Sequence, residues 1–320
     1  MDLHKAIEGF LISRTADGYS PATLEMYRWA LALLVRRLGN PELGIIQPAD
    51  IQSFYAWLRS DYVPTRASKS TEPLSSRSVE NVWISLRSFF GWAAKELKID
   101  RPDLVVSRPK YGPSVVEPLS VEEIKAMLQA CERTKEAKTE KRAAWSQVRP
   151  TAARDAALIL VLLDTGVRIS ECARLRVKDV DLTTGEVTVI AFGTGRKTKG
   201  RHVYLGKLAK KAVWRYLASR EDPAPGDYLF LTDDGHCMNR TSLRLLLNGI
   251  GKRAGVDHPH PHRFRHTFAV EYLRNGGDPF TLQRLLGHST LEMVNHYLQL
   301  VNADLAQRHR QASPADRMGL

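Results

Sequence analysis

The 320-residue chain reads as a mainly α-helical protein of two domains, with a small antiparallel β-hairpin in the second. Three observations predict this class. Apolar residues recur at helical spacing through the first hundred residues. A stretch with four prolines and no sustained period, 101–118, then separates two patterned regions. Strand-like alternation is confined to one later region, 186–192 and 201–205, with Gly193, Gly195 and Gly200 between the two runs.

The elements follow from local signals. Ser20-Pro21 predicts a helix start, because the hydroxyl can cap and proline's missing N–H costs nothing in the first turn. Leu24, Tyr27, Leu31 and Leu34 continue it as one apolar stripe. A short helix is expected at 50–58, an exposed loop rich in Pro, Ser, Thr and Arg at 62–76, and a second stripe on Val79, Val82, Leu86, Phe89 and Ala93. The boundary is placed in the linker, 101–118, giving domains at 1–100 and 119–320. Ser120-Val121-Glu122-Glu123 has capping-box form and opens the second domain. Within it, 151–164 is an apolar helix ended by Gly166. Asp278-Pro279 starts another helix, which Gly287 closes. Ser289-Thr290-Leu291-Glu292 is a further capping box and puts Tyr297 on or just after a short helix.

Charge narrows the partner. Lys and Arg total 47 against 35 Asp and Glu, a formal +12. Up to Lys110 there are 15 basic and 12 acidic residues, net +3; beyond it there are 32 and 23, net +9. Such an excess points to a polyanion, either nucleic acid or an acidic membrane surface, unless it is only the solvated surface of a basic enzyme. No apolar run approaches the roughly 20 residues of a spanning helix, so no membrane partner is expected. The start, Met1-Asp2-Leu3-His4, lacks the basic segment and apolar stretch of a signal peptide. Cys131, Cys172 and Cys237 are far apart with no Cys-x-x-Cys spacing, which predicts a reduced, cytoplasmic protein.

Three segments carry chemistry. One is Thr165-Gly166-Val167-Arg168-Ile169-Ser170-Glu171. The second is the basic hairpin tip, with Arg196, Lys197, Lys199 and Arg201 among glycines. The third runs through His262-Arg263-Phe264-Arg265-His266 and Gly287-His288 to Tyr297. A phosphodiester resists nucleophiles because its oxygens are negative. Two arginines, Arg168 and Arg265, can each present a planar fork of donors to those oxygens. Tyr297 by itself reads as a half-buried core tyrosine, and only its interval from Gly287-His288 raises it.

This order of Arg, hairpin Lys, His-x-x-Arg, Gly-His and Tyr resembles the tyrosine recombinase family, which includes phage integrases and the Xer and Cre recombinases. Arg265 precedes His288 by 23 residues and His288 precedes Tyr297 by nine, the usual intervals in Xer-like members. The resemblance covers the whole chain. It implies a C-shaped DNA clamp, with a helical (SAM-like) core-binding domain followed by the catalytic domain. It implies cleavage and rejoining of DNA through a 3′-phosphotyrosine, without metal, ATP or other cofactor. Double-stranded DNA bearing a specific site is the implied partner, bound by a homo-tetramer on paired sites in a bacterial cytoplasm, at the nucleoid. Strands would exchange in pairs through a Holliday junction.

The resemblance also implies roles. Tyr297 attacks the phosphorus and forms the covalent intermediate, Arg168 and Arg265 hold the phosphate, His262 assists the tyrosine's proton, His288 orients the phosphate, and a hairpin lysine protonates the leaving 5′ oxygen. The family's hairpin is Gly-Lys-Gly-x-Lys-x-Arg; here Thr194 replaces the first lysine and the tip is about two residues longer. Lys197 is the assigned catalytic lysine and Lys199 the alternative, with Lys199, Arg201 and Arg196 as phosphate-binding candidates.

Other readings remain. Arg168 can pair with Glu171 on one helix face as a structural arginine. His258, His260, His262 and His266 could chelate a metal, but His-Glu-x-x-His is absent and arginines flank them, so no metal is expected. His266 is expected at the back of the site or in the core. Residues 298–305 resemble a tail that docks on a neighbouring subunit, or are an ordinary terminal helix. A catalytically silent DNA-binding protein would form no covalent adduct. A type IB topoisomerase would relax plasmids without a defined site, and a metal-dependent nuclease would fail in EDTA.

Overall fold

The computed structural model describes residues 1–65, 71–110, 116–133, 137–139, 142–145, 147–191, 200–288, 290–301 and 313–318. For 137–139, 142–145, 296 and 299–301 it describes the backbone alone. The chain divides into two compact units, Met1–Ser114 and Val115–Leu320. No helix among the described residues is long and apolar enough to cross a membrane.

The first unit packs four helices: α1 (Leu3–Ala16), α2 (Pro21–Leu38), α3 (Pro48–Ser60) and α4 (Ser76–Glu96). Ser20 caps α2, its hydroxyl accepting from the Thr23 N–H at 3.3 Å, with Pro21 in the first turn. The second expected stripe is the inner face of α4, where Val79, Val82, Leu86, Phe89 and Ala93 are all buried. Phe10 of α1 meets Phe89 edge-on at 5.6 Å, joining the first and last helices through the core.

Two expectations change here. The loop expected at 62–76 is not exposed throughout: Tyr62 is buried, its ring 5.0 Å from that of Trp57. The stretch at 101–118 does not begin as a free linker. Pro102 opens a single 3-10 turn, Pro102–Val105, fixed by the buried Asp103 carboxylate. That carboxylate accepts from Arg101 twice, at 2.7 Å, and from Arg87 of α4 at 3.2 Å. Proline at a turn start and proline in a linker look the same to composition; the carboxylate between two arginines distinguishes them.

The second unit is built on α6 (Ala152–Thr165), an apolar helix packed by α5 (Val121–Glu132), α8 (Lys207–Ala218) and α10 (Pro261–Arg274). Ser120 and Glu123 form the expected capping box at the start of α5. A very short helix, α7 (Ile169–Cys172), follows α6. The expected hairpin is present as β3 (Glu186–Val189) and β4 (Arg201–Tyr204), antiparallel, with Glu186 opposite Tyr204 and Val189 opposite Arg201. Val187, Val189 and Val203 turn inward, which is the alternation read from sequence. A second two-stranded sheet, β1 (Ala137–Thr139) with β2 (Arg142–Trp145), was not expected, since its charged segment shows no apolar alternation. The remaining α-helices among the described residues are α9 (Arg240–Ala254), α11 (Pro279–Leu286), α12 (Glu292–Val301) and the short α13 (Pro314–Arg317). Ala269, Val270 and Leu273 of α10 form a small core with α11 and α12, and Tyr297 packs against it.

Gly166 ends α6 in the left-handed conformation, φ +59, where an added Cβ would overlap the Phe268 ring. Gly166→Ala therefore meets both backbone strain, about 1–2 kcal/mol, and a steric clash. Urea unfolding should show a midpoint well below that of the parent protein; an unchanged midpoint would contradict this packing.

Candidate active site

Four elements bring the site together. Arg168 immediately precedes α7. Its backbone N–H donates to Glu171 Oε2 at 2.8 Å and its Nη1 donates to Oε1 at 3.1 Å. The pairing expected of a structural arginine is thus present, yet Arg168 also lines a pocket with four other site residues. His260 caps α10, its Nδ1 accepting from the Arg263 N–H at 3.2 Å. This starts the helix so that His262 and Arg265, three apart, share a face. Gly287 closes α11 at φ +65 and turns the chain into His288. Tyr297 follows on α12.

Arg265 is the most constrained of these groups. Although charged, it is only 6% exposed. It donates to the carbonyls of Gly166 and Leu286, each at 2.7 Å, and its Nη2 also donates to His288 Nε2 at 2.9 Å. Burial, then the nearby Arg168 charge, pulls its pKa down to about 10, leaving it protonated at neutral pH. Because His288 Nε2 accepts, the tautomer assigned from this contact carries its proton on Nδ1. Burial and then Arg265 and Arg168 push the His288 pKa down to about 4, so the imidazole is neutral. His262, at the rim, is held below its ordinary pKa by burial and by the same two arginines. The Tyr297 phenol is held above its ordinary pKa because burial outweighs the arginines. Its ring lies 5.1 Å from that of His266 and stacks at 6.4 Å on that of His288.

Arg168, His262, Arg265, His288 and Tyr297 line one open pocket of about 430 Å³, together with Val116, His266 and Met293. No carboxylate is in this described lining. Two guanidiniums, neutral imidazoles and a protonated phenol suit an anion carrying several acceptor oxygens. Among the described residues, no group of three or more His, Cys, Asp or Glu side chains is placed to hold a metal ion.

Arg201 needs correction. It was expected to contact DNA phosphate from the hairpin. Its side chain is only 8% exposed, and its guanidinium is taken up internally. Nη1 and Nη2 donate to the two Glu171 oxygens at 3.0 and 2.8 Å, and Nε donates to the Leu285 carbonyl at 2.6 Å. Arg196, Lys197 and Lys199 lie outside the described residues. The structure adds His266, Val116 and Met293 to the pocket. His266 was expected at the back of the site or in the core; nothing in the local sequence marks the other two.

Residues 117–303 match the phage integrase family. The chain belongs to that family. It is a tyrosine recombinase, an enzyme of site-specific DNA recombination. The tyrosine recombinase XerC of Staphylococcus epidermidis is 30% identical over 324 residues, covering 99% of this chain and 100% of that one. XerC of Oceanobacillus iheyensis is 29% identical over 303 residues, covering 92% and 91%. Among solved structures, the Tn1549 transposon integrase in complex with a circular intermediate DNA aligns with a TM-score of 0.70 at 18% identity. That alignment covers 93% of this chain and 94% of the other, and supports the fold.

Glu171 is buried, which raises a carboxyl's pKa, but hydrogen bonds and charge from Arg201 and Arg168 prevail and hold it at about 2, against an ordinary 4.5. The folded-state pKa is lowered, so its stabilisation is fully present above pH 4.5 and is lost as pH falls towards 2. Glu171→Ala should destabilise the recombinase by about 3–5 kcal/mol at pH 7, because it leaves buried guanidinium charge unpaired. The difference from the parent in chemical denaturation should shrink below pH 4.5. A difference that is flat with pH would contradict the assignment.

Proposed function

We propose that this pocket binds the scissile phosphate of a DNA recombination site and that Tyr297 is the nucleophile. The observation carrying this reading is that Arg168, Arg265, His288 and Tyr297, from separate parts of the chain, line one pocket with no carboxylate in its described lining. Arg168 and Arg265 hold the non-bridging oxygens and stabilise the pentacoordinate transition state. His288, whose Nε2 accepts from Arg265 Nη2, is assigned to orienting the phosphate site through that arginine.

Tyr297 reacts from a protonated phenol, so its proton must leave as the bond to phosphorus forms. His262, whose pKa is held down, is neutral at physiological pH and accepts it. The Tyr297 oxygen bonds to phosphorus, the P–O5′ bond breaks, and the lysine, Lys197 or else Lys199, gives a proton to the departing O5′. The product is a 3′-phosphotyrosine and a free 5′-hydroxyl. Attack by a 5′-hydroxyl reverses each transfer and reseals the strand. One phosphodiester is exchanged for another, so the step needs no nucleotide cofactor.

The first unit is assigned the core-binding role and the second the catalytic one. Family membership supports a homo-tetramer on two paired sites. Because phosphate contacts dominate such binding, affinity should fall steeply with salt.

A nicked substrate that traps the cleaved strand tests the chemistry. The parent enzyme should form a covalent adduct, in EDTA as well as without it. Tyr297→Phe should form none. Arg168→Ala and Arg265→Ala should slow adduct formation by about 10²–10³-fold, the usual cost of losing one fixed transition-state donor. An adduct that persists in Tyr297→Phe would overturn the nucleophile.

The lysine is tested by replacing the leaving 5′ oxygen with sulfur. A thiolate leaves without a proton, so a variant lacking the general acid regains cleavage on that substrate. Lys197→Ala should be slow on the ordinary substrate and recover with sulfur. If Lys199→Ala behaves that way instead, the assignment moves to Lys199.

A further inference from the structure

We infer that His260 is a positioning residue for His262: its ring nitrogen caps the helix that carries the proton acceptor, and it does so only while that nitrogen is unprotonated. This deepens the reading above and rests on it. The first turn of a helix has N–H groups without intrahelical partners. In α10 one of them, from Arg263, is taken by His260 Nδ1 at 3.2 Å. Serine, threonine, aspartate and asparagine are the usual cap acceptors, and none of them loses its acceptor oxygen near neutral pH. An imidazole nitrogen differs: once protonated it is a donor and cannot receive the N–H. The bond assigns the proton of the neutral ring to Nε2.

The cap is built into the fold on both sides. Pro259 is buried and packs on Gly251 of α9, where an added Cβ would overlap its ring. His258 stands at φ +50, and its carbonyl accepts from the His260 N–H at 2.7 Å, which turns the chain into the cap. Pro261 follows, buried in the first turn. The charges acting on the His260 ring come from His262 and Arg263 of α10, His258 of the preceding turn and Arg244 of α9. Each of these groups is cationic when charged. Burial first, and then these charges, hold the His260 pKa below its ordinary 6.5. The positive end of the helix dipole acts in the same sense. The ring is therefore an acceptor at neutral pH, and the cap is lost as pH falls below that range.

Losing the cap should disturb His262 more than the arginine clamp. His262 lies in the first turn, between Pro261 and Arg263. Arg265 lies beyond it and keeps its bonds to the Gly166 and Leu286 carbonyls and to His288. The helix itself stays attached through the Arg263 side chain, which reaches the Glu117 and Asp257 carbonyls and Glu123 Oε2 at 3.1, 2.8 and 2.7 Å. The predicted defect is therefore in accepting the Tyr297 proton, with the arginines still able to hold phosphate. A purely structural role would be felt whether or not His262 is present.

The test is single-turnover adduct formation on the nicked substrate from about pH 5 to about pH 8, the range over which an imidazole titrates. His260→Asn supplies a cap that does not titrate, and His260→Ala supplies none. Circular dichroism with thermal melting checks that both fold. At about pH 8 the Asn variant should react within about threefold of the parent, and the Ala variant roughly tenfold more slowly, within the range that loss of one cap allows. As pH falls below 6.5, the parent should slow towards the Ala variant, so that its rate relative to the Asn variant drops several-fold. His262 titrates in both proteins and cancels in that ratio. In a His262→Ala background, the Ala and Asn substitutions at 260 should leave the rate alike. A ratio that is flat with pH, an Ala variant as fast as the parent throughout, or an Ala penalty that persists without His262 would overturn the inference. Variants too unstable to fold would overturn it as well, by making His260 a folding residue. If His262→Ala alone leaves adduct formation unchanged, the proton-acceptor reading falls, and the inference falls with it for that separate reason.

Discussion

Arg265 carries a full positive charge into a place with little water, and the rest of the site is arranged around making that tolerable. Three fixed acceptors share its donors: the Gly166 carbonyl at the end of one helix, the Leu286 carbonyl at the end of another, and His288. Burying such a charge unpaired would cost several kcal/mol. Helix C-termini are suited to the task, because their last carbonyls lack intrahelical partners and carry the negative end of the dipole. The guanidinium is therefore oriented before any substrate arrives, as catalysis by electrostatic preorganisation requires.

Arg168 is held differently. Its carboxylate partner, Glu171, is itself buried and shared with Arg201. One carboxylate between two guanidiniums leaves excess positive charge, and Arg168 is the partner that faces the pocket. The side-chain and backbone bonds to Glu171 fix where Arg168 starts while leaving it unsatisfied electrostatically. Burial, reinforced by the same positive field, keeps His262 and His288 neutral, so neither adds charge to the pocket.

Much of the local structure was legible because it depends on neighbours in sequence. Ser20-Pro21, the Ser120 capping box and the glycines at 166 and 287 mark helix ends through bonds spanning three or four residues. The alternation at β3 was legible for the same reason. The site was legible as a set of intervals, and the pocket gathers five of its six predicted groups; the sixth, Lys197, lies outside the described residues. Arg201 was misread because its fate depends on a carboxylate 30 residues away, which no spacing encodes. In a basic, glycine-rich hairpin every arginine resembles a phosphate ligand until burial distinguishes one. The turn at Pro102 and the β1–β2 ribbon escaped for related reasons. The turn is set by the contacts of Asp103, and the ribbon by backbone pairing in a charged segment.

The central claim is convergence of two guanidiniums on a single phosphorus. A crystal structure of Tyr297→Phe bound to an intact recombination-site DNA tests it directly. The account predicts one phosphate whose non-bridging oxygens lie about 3 Å from nitrogens of both Arg168 and Arg265, with the residue-297 ring in line with the 5′ oxygen. A phosphate contacted by only one of the two arginines, or seated outside the pocket shared by 168, 265 and 288, would contradict it.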